Sequence, residues 1–399
     1  MPPTPRPGMV NRMWFPNDDE DDEDRVQMTN ARPTRQRTVP LPNRERGLNK
    51  ARHTLRTTPS YIATSNNLAI YYPPNSGFLA YLPNAWVPFA ELIRLNEPAG
   101  MIYFYYPFLF GTLLAACLLK TTISPTTLFG TNLVLFAAAF MARSAACAWS
   151  DVMNASYDYQ VSRCRLRPIV RGAITPAAGV VYAAIFFAIW LGIIFQLPGL
   201  HLRQLVSYVF FHSAYPVIKR YTYYAPLCRG FTLATGVMIG SSVLGVDIIA
   251  LSAAGGSYDA VNNTIAAVLC LWLASAMWTV IVEVVQEYQG LKDDLQAGMV
   301  SFAVASHRYG KLLISLAAMV QLGLLFMTGD YMGAGPMYFA VACGGPAVLL
   351  VWMLFSLDLE SPGSCSWWYR NGLWVVGECI GEGLVAEYLS RRYGLWGGN

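Results

Sequence analysis

From about residue 100 onward the chain alternates long apolar stretches with short polar connections, and before residue 78 it shows no such pattern. Candidate membrane helices run near 101–119, 126–148, 175–197, 203–218, 226–249, 263–284, 311–329, 336–356 and 372–389. Crossing the hydrocarbon takes about 20 residues, so these lengths fit, with 203–218 the shortest. The segment ELIRLNEPAG, residues 91–100, has apolar positions at helical spacing and predicts a helix lying at the interface. The pattern is that of an all-α integral membrane protein.

Residues 1–78 are polar, rich in Pro, Asn, Arg and Thr, and read as a disordered tail ahead of a membrane domain spanning 79–399. The acidic run Asp18-Asp19-Glu20-Asp21-Asp22 has the spacing of a DDxxD metal motif. It lacks the apolar surroundings of a pocket and reads as a solvated charge run. It also argues against a mitochondrial transit peptide, and no apolar stretch near Met1 resembles a signal peptide. The endoplasmic reticulum is the default membrane.

Composition agrees with the pattern. The 399 residues are 54% hydrophobic and 13% charged, against about a quarter charged in soluble domains. The net charge of +4 is small and dispersed, so nucleic acid is not an expected partner. The eight cysteines include no CxxC pair and the four histidines no HxxxH or HExxH, which argues against a disulfide framework, a zinc site or a histidine metal centre.

Charge also orients the chain. The connections after the second, fourth, sixth and eighth spans carry Arg163, Arg165, Arg167, Arg171, Lys219, Arg220, Lys292, Arg308 and Arg370. The remaining connections hold little beyond Lys120 and Arg203. The positive-inside rule places the first set and the tail in the cytoplasm. Arg391 and Arg392 run against it.

Two acidic clusters continue membrane helices on that side. If the second span stays helical, Asp151, Asn154 and Asp158 share a face. In EVVQEYQGLKDDLQAG, residues 283–298, Glu283, Glu287, Gly290 and Asp294 fall on one stripe of a continuous helix. Carboxylates from two helices at one membrane surface suit Mg²⁺, which takes oxygen ligands and bridges to phosphate. Arg163, Arg167, Lys219 and Arg220 in the same layer suit an oligophosphate. A diphosphate with an apolar tail would use both metal and membrane.

These segments carry a resemblance. RSAACAWSDVMNASYDYQVSRCRLRPIVRGAIT looks like the first signature of the UbiA family of intramembrane prenyltransferases, NDxxDxxxD followed by VxRTxxRPLxxG. EVVQEYQGLKDDLQAGMVSFAV looks like the second, DxxYxxxDxxDDxxxGxKS. RLNEPAG resembles the opening RxxxPxG, and YPVIKRYT the basic loop after the fourth span. The likeness covers about 88–392 and is strongest to fungal meroterpenoid-type members.

The resemblance implies a nine-helix bundle with a lipid-facing cavity under a cytoplasmic cap, and Mg²⁺-dependent ionisation of a prenyl diphosphate. It places Asp151 and Asp158 at the metal from the first motif, with Glu283, Asp293 and Asp294 from the second. Arg163, Arg167 and Lys219 would hold the diphosphate. This chain has Ser150 for the family Asn, Asn154 for the middle Asp and Glu283 for the leading Asp. It also has Gln286 for Tyr, Gly290 for the central Asp and Val300 for Lys. Asn154 still offers a carbonyl oxygen, and Glu287 is the candidate to replace the carboxylate missing at 290.

Three functions remain open on these residues. A prenyltransferase would pass a prenyl group, farnesyl or similar, to an aromatic or polyketide acceptor in terpenoid biosynthesis, a branch of secondary metabolism. Aromatic residues of MIYFYYPFLF, 101–110, and Trp149 would then shield the allylic cation. A terpene cyclase on the same scaffold would ionise a diphosphate, or protonate an already prenylated substrate through Glu283 or Glu287. A membrane scaffold without activity is the third.

Overall fold

The computed structural model describes residues 61–63, 69–75, 77–119, 123–159, 164–199, 202–254, 258–297 and 300–394. The acidic run 18–22 and Arg163 lie outside them. Pro59–Asn399 forms one compact unit. Apart from a short antiparallel pairing of β1 (Tyr61–Ala63) with β2 (Ala69–Tyr71), the regular elements among the described residues are helices.

In chain order the helices are α1 (Val87–Leu92), α2 (Ala99–Leu118), α3 (Pro125–Asp158), α4 (Pro176–Ile194), α5 (Leu202–Tyr221), α6 (Ala225–Val243), α7 (Ile248–Ala254) and α8 (Tyr258–Tyr288). Then follow α9 (Leu291–Ala297), α10 (Phe302–Ala305), α11 (Gly310–Met332), α12 (Pro336–Ser356, with a π-helical stretch at Phe339–Gly344), α13 (Pro362–Trp367) and α14 (Leu373–Tyr393).

Local chemistry starts and stops these helices where expected. Ser124 and Thr175 accept the backbone N–H of Thr127 and Ala178 with their side chains, and Pro125 and Pro176 follow them at the first helical position. Gly333 and Gly394, with φ near +60°, end α11 and α14 in the left-handed turn that glycine tolerates.

Among the described residues six helices are long and apolar enough to cross a membrane: α2, α3, α4, α8, α11 and α12. Helices α5, α6 and α14 match three further spans expected from the sequence, but are more polar. Lys219 and Arg220 lie in α5, Thr and Ser residues in α6, and Glu378, Glu382 and Glu387 in α14.

Helix α3 is the element that matters most for function. Its 34 residues extend about 51 Å at ~1.5 Å per residue, well beyond the ~30 Å hydrocarbon thickness. Its last turns stay helical and carry Asp151, Asn154 and Asp158. Helix α8, 31 residues long, does the same for Glu283 and Glu287.

The bundle closes through small residues and aromatic bulk. Gly111 on α2 faces the backbone of Val237, and Gly240 on α6 faces that of Phe108, each so closely that a Cβ would collide. Close approach of this kind is how apolar helices associate in lipid, where dispersion must replace the hydrophobic drive. Trp278 of α8 is fully buried against Tyr103, Tyr106 and Phe110, and its indole N–H donates to the Leu373 carbonyl.

The two C-terminal arginines that contradict the charge rule have a structural task. Arg391 pairs with buried Glu387 at 2.6 Å and donates to the carbonyls of Cys117, Met332 and Gly333. Arg392 donates to the carbonyl of Ile123. These are end carbonyls of α2 and α11 and of the segment before α3, groups that lack intrahelical partners. Arg391→Ala strands the Glu387 carboxylate and those carbonyls. It is expected to lower stability in detergent by about 2–3 kcal/mol, read as a lower unfolding midpoint, and an unchanged midpoint would refute the capping role.

Candidate active site

The site begins with a buried carboxylate. Asp151, 1% exposed, sits on the inward face of α3, two turns before the helix ends at Asp158. Its Oδ1 accepts from the Arg94 guanidinium at 2.7 Å and from Arg167 Nη1 at 3.3 Å. Arg167 Nη1 also donates to Asp158 Oδ2 at 2.5 Å, so one guanidinium joins two carboxylates two turns apart. Burial alone would pull the pKa of Arg94 down, and the Asp151 carboxylate more than reverses this, so Arg94 stays cationic.

Arg94 is placed by its backbone. It has φ +58°, the left-handed region, and is the one non-glycine residue there among those described. Its carbonyl accepts from Arg143 Nη1 at 3.2 Å, and Arg143 also binds the carbonyls of Ile93 and Glu97. Arg143, itself buried in α3, thus gathers the end of α1 and the turn after it. Gly100 gives it room, since a Cβ there would come within 2.7 Å of the guanidinium.

The connection between α3 and α4 is tied to the same end of the bundle. Arg171 pairs with Glu91 of α1 at 2.6 Å and stacks over the Tyr71 ring at 3.6 Å, while the Tyr71 hydroxyl donates to Glu91. Burial and the neighbouring carboxylate push the Tyr71 hydroxyl up to about 12, which keeps it a donor.

Opposite α3 stand α5, α6 and α8. Glu283 accepts from the Tyr215 hydroxyl at 3.4 Å and lies 3.6 Å from Arg229 Nε. Glu287, 4% exposed, accepts the Phe302 N–H at the start of α10 and faces Lys219 Nζ at 4.0 Å. A polar cavity lies between these walls. Arg94, Arg167, Lys219 and Arg229 bring cations to it, and Asp151, Glu283 and Glu287 bring carboxylates. A second, apolar cavity of about 260 Å³ between α3, α4 and α5 shares Ala146 and His212 with it.

The expected residues divide accordingly. Asp151, Arg167, Lys219, Glu283 and Glu287 line the polar cavity. Asp158 stands behind it, on Arg167. Arg220 turns away: its Nε donates to the Asn154 carbonyl oxygen at 3.0 Å and its guanidinium to the Met153 carbonyl, fastening α5 to α3. Asp293 and Asp294 do not line the cavity. The continuous stripe expected through 283, 287, 290 and 294 is broken, because α8 stops at Tyr288 and α9 starts at Leu291. Gly290 lies in the intervening turn, its N–H on the Glu287 carbonyl.

Of the aromatic residues, Trp149 lines the apolar cavity. Tyr103 and Tyr106 are instead packed on Trp278 in the core. Among the described residues no group of three or more His, Cys, Asp or Glu is arranged to hold a metal. Two carboxylate oxygens nevertheless stand buried without a hydrogen-bond partner among those residues, Asp151 Oδ2 and Glu287 Oε1, both on the polar cavity.

Arg94, Arg143 and Arg229 were not picked out from the sequence as site residues. The signal was there for the last two, since an arginine inside an apolar span is costly and so marks a site. Arg94 lay in a quoted motif, but only its backbone turn shows why its side chain reaches Asp151.

Comparison with known proteins shows the family. The UbiA prenyltransferase family model matches residues 107–376, and the chain belongs to that family. Prenyltransferase ascA of Acremonium egyptiacum is 31% identical over 86% of this chain and 98% of that protein. Prenyltransferase stbC of Stachybotrys bisbyi is 28% identical over 70% and 80%. 4-Hydroxybenzoate geranyltransferase 1 of Lithospermum erythrorhizon is 29% identical over 76% and 92%. These relatives are transferases, and the cyclase alternative draws no support from them.

Among solved structures, a UbiA homologue from Archaeoglobus fulgidus bound to GPP and Mg²⁺ superposes with a TM-score of 0.57 at 12% identity, over 75% of this chain and 99% of that one. The apo UbiA homologue of Aeropyrum pernix K1 gives 0.55 at 17%, over 71% and 97%. At such identities the likeness is one of fold. With six apolar helices in this family's fold, the protein is an integral, multi-pass membrane protein.

The Arg94 geometry has a direct test. Arg143→Met removes the hydrogen bonds that hold the strained turn while keeping an unbranched side chain of similar reach. Prenyl transfer is expected to fall about 100-fold, ~2.7 kcal/mol in barrier, in protein that still purifies folded. A change under threefold would show that the turn holds itself.

Proposed function

We propose that this protein is a Mg²⁺-dependent prenyltransferase. It transfers a prenyl group, farnesyl or similar, from a prenyl diphosphate to an aromatic or polyketide acceptor in terpenoid or meroterpenoid biosynthesis. The observation that carries this reading is the junction of the two cavities: a chamber of arginines, lysine and buried carboxylates opens at Ala146 and His212 onto an apolar pocket. A diphosphate ester of an isoprenoid alcohol has that division of polarity.

On this reading Arg94, Arg167, Lys219 and Arg229 bind the diphosphate. Arginine forks suit phosphate oxygens, and lysine contributes a point charge. Glu283 holds Arg229 and Asp158 holds Arg167, so both cations are oriented before substrate arrives. Asp151 Oδ2 and Glu287 Oε1 fit Mg²⁺, which commonly takes one or two carboxylates and fills its remaining positions with water and phosphate. Bound there, the ion neutralises charge developing on the leaving group.

The C1–O bond of the donor then breaks, pyrophosphate departs with the electron pair, and the allylic cation forms beside Trp149. An electron-rich carbon of the acceptor attacks C1 and loses its proton. Preorganised charge around the leaving group is the main source of acceleration. Trp149 is held for its part by donating its indole N–H to the Ser213 carbonyl.

The proposal includes nine membrane spans, with α5, α6 and α14 joining the six apolar helices, and a cytoplasmic cap over the site in the endoplasmic reticulum membrane. Residues 1–78 form a cytoplasmic tail and 79–399 the transmembrane domain. The test uses membranes containing the full chain, a prenyl diphosphate and a phenolic acceptor. Product should form with one pyrophosphate each, stop in EDTA and return with Mg²⁺. Glu287→Gln should raise the Mg²⁺ concentration needed at least tenfold, because an amide is a weaker ligand. Full activity in excess EDTA without pyrophosphate release would overturn the reading.

A further inference from the structure

The apolar cavity has a floor, and the floor is aromatic. Trp190 of α4 and Tyr208 of α5 lie nearly parallel there, with ring centroids 5.5 Å apart and planes 27° from one another. Each is 2% exposed. Phe187 leans on Trp190 from one side and His212 on Tyr208 from the other. Beneath them Leu135, Ile194 and Leu205 are buried and packed into the same cluster, so the cavity does not continue downward. The indole N–H of Trp190 and the hydroxyl of Tyr208 have no hydrogen-bond partner among the described residues. Buried donors of this kind are normally satisfied. Here they close a cavity that a ligand would fill, and the π electrons of an alkene are an acceptor of the weak kind such donors take.

We infer that the Trp190–Tyr208 pair limits the length of the isoprenoid donor to three isoprene units, an inference that rests on the proposed transferase function. The wall of the cavity gives the depth. On α3, Asp151 marks the polar chamber and Ala142 the level of the floor, and both belong to the lining. They are nine residues apart on one helix, about 13.5 Å at ~1.5 Å per residue. An isoprene unit adds four carbon–carbon bonds to the chain, about 5 Å when each bond is ~1.5 Å in a zigzag. Two units leave the floor untouched, three reach it, and a fourth meets the stacked rings. The side of the cavity is lined by alanines 142, 145, 146, 183 and 184, which leave the width for a branched chain without filling the depth.

The experiment measures binding of unreactive S-thiolodiphosphate analogues of geranyl, farnesyl and geranylgeranyl diphosphate, with Mg²⁺, to the purified full chain in detergent. No acceptor is then required. The wild type should bind the farnesyl analogue at least tenfold more tightly than the geranylgeranyl one. Trp190→Ala replaces the indole with a methyl and should raise the geranylgeranyl-to-farnesyl affinity ratio at least tenfold. Because emptying a buried site this large can unfold a protein, Ala142→Leu provides an independent variant that adds bulk at the floor. It should lower the farnesyl-to-geranyl ratio at least tenfold.

If no analogue binds the wild type, the transferase reading itself has failed. If all bind but the ratios do not move in either variant, the floor does not measure the chain and only this inference falls. Equal wild-type affinity for farnesyl and geranylgeranyl would likewise overturn it, and would mean that the longer chain leaves sideways between α4 and α5 into lipid.

Discussion

A carboxylate that is 1% exposed must be paired, and Asp151 imposes that demand on the whole cytoplasm-proposed end of the bundle. Leaving it alone in a low-dielectric setting would cost several kcal/mol. Its two partners come from far apart in the chain, Arg94 from before the first long helix and Arg167 from the connection after α3. To deliver Arg94 the backbone turns left-handed, and Arg143 holds that turn through the carbonyls of Ile93, Arg94 and Glu97. To keep Arg167 in place, Asp158 takes the other side of its guanidinium. Breaking any of these contacts exposes a buried charge or carbonyl, so the rim of the chamber is rigid for the same reason that it is charged.

The second constraint is that two solvents meet at the site. The polar chamber needs cations with fixed positions, and these are held by Asp158, Glu283 and Glu287 from outside or along its wall. The apolar pocket needs only width and a floor. A donor spanning both gains charge–charge attraction at one end and about 0.8 kcal/mol for each buried CH₂ at the other. Water excluded from the pocket also strengthens the electrostatics next door. Both cavities are built on α3 and α5, so those two helices fix where the polar chamber meets the apolar pocket.

How much of this could be read from the sequence depends on the range of the interaction involved. Hydropathy and the helical spacing of Asp151, Asn154 and Asp158 are local; hydropathy located the long helices, and α3 continues ten residues beyond the expected span, through Asp158. Arg167, Lys219 and Glu283, which stand in the family motifs, and Glu287, which shares the helical stripe with Glu283, line one chamber. Where the reading went astray, a local regularity had been extended too far. The acidic stripe was drawn through 290, although a glycine there lets the chain turn between α8 and α9. Arg220 was assigned to phosphate by its charge, yet it fastens α5 to Asn154 and the Met153 carbonyl. Arg391 looked like a topological error and is a cap for three carbonyls.

The sequence by itself determined that the protein lives in a membrane and that its helices run where the apolar stretches run. Those properties follow from transfer free energies and from periodicities of a few residues, which the chain carries wherever it is read. Only the tertiary structure decided which charges face the chamber, which hold other charges, and where the apolar pocket ends. Those depend on side chains that meet from different helices and connections, well beyond the reach of a local repeat: Arg94 with Asp151, Lys219 with Glu287, Trp190 with Tyr208. Whether an arginine binds a ligand or a carbonyl is settled by which partner is within about 3 Å, and no local pattern records that distance.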